Sequence, residues 1–110
     1  MARNVKWTPS AWQDLEQIAD YIGRDSPFYA ASFVRDIRSA AQSLQIFPEA
    51  GSIVPEVEQP AIREVFVKKY RLIYRVATDA IYILAIVHGA RDFGKLWRSE
   101  EQGKTGSDPD

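Results

Sequence analysis

Cysteine is absent from the chain, which removes disulfide scaffolds, thiolate nucleophiles and thiolate metal sites together. Histidine occurs once, at position 88, too few for a histidine metal site. There is no glycine-rich phosphate loop and no nucleophile elbow. No apolar run approaches the roughly 20 residues of a membrane span, and the opening MARNVKWTPS lacks the apolar core of a signal peptide. The expected compartment is therefore the cytoplasm, with no cofactor, no metal and no membrane partner.

What is present is a globular composition. The apolar fraction is 45%, with three Trp, five Tyr and five Phe in 110 residues, enough for one domain with a core. The net charge of −1 hides a gradient. Residues 63–98 carry eight basic side chains (Arg63, Lys68, Lys69, Arg71, Arg75, Arg91, Lys95, Arg98) against three acidic ones, while the flanking segments are acidic. A local excess of this kind suits an anionic partner better than the overall charge suggests. It falls short of a dedicated nucleic-acid binder, and sequence-specific nucleic-acid binding is not expected.

Periodicity orders the chain into elements. Val5 and Trp7 alternate with polar neighbours, as in a short opening strand over 3–7. Thr8-Pro9 supplies an N-cap and a first helical residue, and Ala11, Trp12, Leu15, Ile18, Ala19 and Ile22 then fall on one helical stripe. Gly23 is the expected stop. Ser26-Pro27 repeats the start signal for a second helix with Phe33, Ile37, Leu44 and Phe47 on its apolar face, ended by Pro48. After the breaker-rich loop 48–60 the period falls to two, giving strands 62–67, 70–77 and 81–88 joined by short turns. Counting directions along this order predicts that the first strand pairs antiparallel with the last and that Ile62–Val67 is an edge. The expected core contains Trp12, Leu15, Ile18, Phe33, Ile37, Leu44, Leu72, Tyr74 and Ile83. Residues 99–110 are polar and acidic and are expected to form a disordered tail.

Four segments now stand in order: WTPSAWQDLEQIADYI, FPEAGSIVPEV, IREVFVKKYRLIYRV and ILAIVHGARDF. Together they resemble the ParE-type toxins of the RelE/ParE superfamily, carried by plasmid- and chromosome-borne type II toxin–antitoxin modules. The resemblance covers residues 5–93 and implies a domain over 1–98. It also implies an α+β fold of order β-α-α-β-β-β, with a two-helix hairpin on one face of an antiparallel sheet. The superfamily divides in function. ParE-like members inhibit DNA gyrase through protein contact, whereas RelE-like members are ribosome-dependent mRNA endoribonucleases. The first function implies a toxin without enzymatic activity of its own. The second implies catalysis at the positions that match the nuclease pattern, Glu56, Arg71 and His88. Both imply a ParD-like antitoxin as partner.

The residues themselves suggest two surfaces. Arg71 and Arg75 lie two pleats apart on one strand face. With His88, Arg91 and Trp97 they form the expected contact with the target, although a solvated sheet face and a docked C-terminal aromatic explain the same residues. The loop and the edge strand, through Val54, Glu56, Val57, Glu58, Pro60, Ala61, Ile62, Arg63 and Val65, form the expected antitoxin surface. Exposed apolar groups there would receive a folding-on-binding segment, and the acidic pair would select basic partners.

Overall fold

A computed structural model of the chain describes residues 3–98. The expectation for 99–110 lies outside the described residues. Thr8 caps α1 (Pro9–Asp25) by accepting from Ala11 N at 3.1 Å. Ser26 serves both helices: its N–H donates to Ile22 O at 3.0 Å, and its Oγ accepts from Tyr29 N at the start of α2 (Pro27–Ser43). The stop therefore falls at Ser26-Pro27 and not at Gly23, which remains helical because a proline two residues beyond the last turn is the stronger breaker. The second helix ends at Ser43, ahead of Pro48, and Phe47 faces solvent instead of the core.

Five strands follow the order β1 (Asn4–Trp7), β2 (Ser52–Ile53), β3 (Ile62–Val67), β4 (Tyr70–Val76) and β5 (Ala80–His88), and they align in the sheet as β1-β5-β4-β3-β2. Lys68, at φ 55°, supplies the left-handed residue in the β3–β4 turn. The ladders β2–β3, β3–β4 and β4–β5 are antiparallel, but β1 runs parallel to β5, contrary to the direction count. The cause is β2. This two-residue strand inside the 48–60 loop adds one reversal, so every later strand points the other way. The same strand corrects the edge, since Ser52 and Ile53 pair with Glu64 and Arg63 and, among the described residues, leave only the far end of β3 without a neighbour on that side.

Both faces of the sheet are covered. On one, Leu15, Phe33, Ile37 and Leu44 of the helices meet Leu72, Tyr74, Ile81, Ile83 and Ile86, with Ile18 partly buried at the margin. Trp12 does not join them. It is 44% exposed because Ala11 and Leu15 hold the centre of the α1 stripe, and its ring instead meets Trp7 edge-on at 5.9 Å. On the other face Val54, Ile62, Ile73, Ala85, Val87 and Phe93 form a second core, roofed by the loop and by helical residues 93–98. A run as apolar as β5 is what a strand buried on both faces requires.

Candidate functional site

The second core encloses one charged group. Arg71, near the start of β4, is 4% exposed, so its predicted place in a solvent-facing patch is corrected. Two carboxylates surround it. Glu56 accepts from Arg71 Nη1 at 2.9 Å and from Nη2 at 2.7 Å, a bidentate fork, and Glu64 accepts from Nε at 2.6 Å. Arg71 Nη1 also donates to the Arg91 carbonyl, and Glu56 Oε2 accepts from Phe93 N at 3.1 Å. One guanidinium thus joins β3, β4, the loop and the C-terminal helical segment. The Arg71 hydrogen bonds hold the Glu56 carboxyl down at about 2, far below the ordinary carboxylate, and Glu56 in turn raises Arg71. Among the described residues no buried polar side-chain atom lacks a partner, so the cluster is satisfied.

His88 stands apart. It is exposed at the end of β5, its ring 5.6 Å from that of Tyr70, and its Nδ1 accepts from Ala90 N. In the ladder His88 is opposite Tyr70, while Arg71 is opposite Val87. Adjacent strand positions project to opposite faces. Glu56 and Arg71 are therefore brought together on one side of the sheet and His88 is left on the other.

The remaining predicted residues scatter. Arg75 is exposed, with its guanidinium carbon 4.8 Å from the Tyr82 ring centroid. Arg91 is exposed and makes no ion pair with Asp92, whose Oδ1 instead accepts from Gly94 N at the start of the short helix. Trp97 is half-buried beside Phe93 and docks that helix onto the sheet. Val54 in the loop and Ile62 at the start of β3 are fully buried and present no apolar surface, because the loop folds back over Ile73. Glu58, Pro60 and Ala61 are exposed, and Val57, Arg63 and Val65 are half-buried. Arg63 Nη1 donates to Gly51 O at 2.7 Å and so helps to hold β2.

Two features escaped the sequence reading. Glu64 lies in β3 seven residues from Arg71, and only the β3–β4 register shows that it reaches that side chain. Phe66, at 62% exposure, lies where β2 stops covering β3. Its position between Val65 and Val67 was a usable signal: alternate residues of a strand with one buried face cannot all point inward.

The paired surfaces, the order of elements and the charged clasp can be compared with known proteins. Residues 5–93 match the family described as the ParE toxin of the type II toxin–antitoxin system, parDE. The chain belongs to the ParE toxin family. Toxin RelE2 of Caulobacter vibrioides is 39% identical over 88 residues, 79% of this chain and 96% of that protein. The putative toxin Y4kP of Sinorhizobium fredii is 27% identical over 96 residues, 86% and 96% of the two chains. Among solved structures, the chromosomal ParDE system of P. aeruginosa superposes with a TM-score of 0.66 at 30% identity, over 79% of this chain and 96% of that one. The RelBE2 toxin–antitoxin complex of Mycobacterium tuberculosis gives 0.57 at 20% identity, over 80% and 99%, and bears on the fold alone. This ParE-family toxin therefore shares its hairpin-on-sheet architecture with both branches of the superfamily. No helix among its described residues is long and apolar enough to cross a membrane.

Proposed function

We propose that this toxin inhibits DNA gyrase by protein–protein contact, without an enzymatic activity of its own, and is held inactive by a ParD-like antitoxin. One observation carries the reading: the residues that RNA cleavage would require do not converge. A nuclease of this kind needs a base, a cation and an acid within reach of one phosphate. Here the cation is spent on two carboxylates inside a core, the carboxyl is locked into the same bridge, and the sole imidazole is across the sheet. On this reading the protein acts in the cytoplasm, where gyrase works, and the exposed Arg75 and Arg91 are the cations left for the target.

The antitoxin surface narrows to the exposed part of the loop, Glu58, Pro60 and Ala61 with half-buried Val57, and to the open end of β3 at Val65–Val67. Val54, Glu56, Ile62 and Arg63 support that surface from beneath. The solved ParDE relative is a toxin–antitoxin system, which favours the same kind of partner here.

A second reading, ribosome-dependent mRNA cleavage, is favoured by the name of the Caulobacter relative, Toxin RelE2. Purified toxin added to gyrase and relaxed plasmid, and separately to translating ribosomes, separates the two. The expected result is lost supercoiling with intact mRNA, unchanged in His88→Ala. Cut mRNA that disappears in folded His88→Ala replaces this reading with the nuclease.

A further inference from the structure

The open end of the second sheet face gathers cations that are far apart in the sequence. Parallel pairing sets Lys6 of β1 opposite Tyr82, and the β4–β5 ladder sets Tyr82 opposite Arg75. Directly opposed residues share a face, so Lys6, Tyr82 and Arg75 form one row across three adjacent strands. With neighbouring strands about 4.8 Å apart, the two cationic Cα positions stand about 10 Å from each other. Arg3 joins them at the same end, its Nε donating to Ala77 O just beyond β4 at 2.8 Å. Lys6 and Arg75 are exposed. Among the described residues none of the three cations is in an ion pair, and Asp79 is the single carboxylate of the adjoining turn. Two cations on this face and a third at its end, set against one carboxylate on an otherwise acidic protein, form a focused positive site.

We infer that this row is a contact for the phosphodiester backbone of duplex DNA. The guanidinium fork and the ammonium suit phosphate oxygens on a flat, extended ligand. The Tyr82 ring is engaged by Arg75, which counts against a single-stranded ligand, because such strands bind by stacking bases on free aromatic faces. A backbone contact positions without reading sequence, in keeping with a modest cationic set carried on strands. It deepens the gyrase reading, since an inhibitor seated on gyrase meets the DNA that the enzyme holds, but it rests on the register of three strands and is testable without gyrase.

The experiment titrates the full-length protein onto a short labelled duplex and follows anisotropy as salt is varied. Three phosphate contacts give a slope of log Kobs against log salt near −2.7, so affinity falls roughly 40-fold between about 50 and 200 mM salt. Arg75→Gln and Lys6→Gln each reduce the slope by about one, whereas Arg38→Gln on the outer face of α2 leaves it unchanged. Both row variants lie at exposed positions, and circular dichroism reports that they remain folded. A slope near zero for the parent protein overturns the inference, as do variant slopes equal to the parent's. Tighter binding to single-stranded RNA at equal phosphate also overturns it, in favour of a single strand. Competition by an acidic polypeptide as effective as the duplex overturns it in favour of a protein surface. Failure of this titration leaves the gyrase reading standing, and a toxin inert on gyrase that shows this slope leaves the DNA contact standing.

Discussion

Arg71 and Glu56 form a two-pronged bridge, at 2.9 and 2.7 Å, across the seam between the central strand and the loop that precedes β3. The pair is 15 residues apart in the chain, and it closes the second core from the inside. A buried ion pair is weak evidence of net stability, because desolvation offsets the attraction, yet breaking one from a single side leaves a charge uncompensated. That asymmetry gives the first prediction.

Arg71→Ala leaves Glu56 and Glu64, 22% and 10% exposed, facing each other over an empty site. The expected cost is about 3–5 kcal/mol, a large fraction of the stability of a domain this small. Replacing all three members with apolar residues of similar volume costs far less. Urea unfolding of the single and triple variants checks this. Equal losses in the two would mean that packing around residue 71, and not its charge, is what matters.

The second prediction is a pH dependence. The folded-state Glu56 carboxyl is depressed from 4.5 to about 2, chiefly by its hydrogen bonds with Arg71. A depressed carboxyl contributes stability that is fully present above its unfolded value and is lost as pH falls toward its folded one. Unfolding free energy should therefore decline between about pH 4.5 and about 2, and Glu56→Gln should flatten that decline. Parallel curves for the parent and the variant would show that another group governs the acid transition.

Much of this architecture was legible in the sequence. The strand at Ile62–Val67 and the start of each helix follow from period and from the Thr-Pro and Ser-Pro caps, because these signals are local. The polarity of β1 was not legible, since it turns on a two-residue strand with no alternation to detect. The burial of Arg71 was not legible for a similar reason. On a strand face an arginine next to Ile73 looks solvated until a second layer is known, and that layer is a loop and a short helix whose apolar residues do not form a periodic run. Leu84 adds to the difficulty. The ladder passes from Ile73–Ala85 to Tyr74–Ile83, so Leu84 is an unpaired extra residue, and strict alternation along β5 fails there.

A third prediction concerns how β2 is held. The Tyr74 hydroxyl accepts from Gly51 N at 3.0 Å and donates to Pro48 O at 2.8 Å, and burial raises its pKa so that the proton is retained. Tyr74→Phe leaves a buried N–H and a carbonyl unpaired, for a cost of about 1–3 kcal/mol. Hydrogen exchange should speed up at residues 51–53 more than at β4 or β5. Uniform acceleration would mean that the phenol supports the whole core and not the strand it pins. Gly51→Ala is expected to give a similar local effect, because an added Cβ would collide with Glu64 O and the Tyr74 hydroxyl.

The last prediction addresses the partner. Val54 N donates to Ile62 O on the β2 side of β3, so by alternation the backbone groups of Phe66 point the same way, beyond the end of β2. An incoming extended segment can pair there, and its flanking residues would then pass the exposed Glu58, Pro60 and Ala61. Affinity would come from the strand pairing and the apolar cover of Phe66, and discrimination from the loop carboxylate, which favours Lys or Arg on the partner. Phe66→Pro removes the donor from the open edge and should weaken every antitoxin by a similar factor. Glu58→Lys with Ala61→Glu should instead change the ranking of cognate and non-cognate antitoxins by tenfold or more, equivalent to about 1.4 kcal/mol. Binding measured by calorimetry separates these effects. If the loop exchange leaves all affinities within a few-fold while Phe66→Pro lowers them, selection lies elsewhere on the partner's path. If neither changes binding, the β3 edge is not the antitoxin's seat.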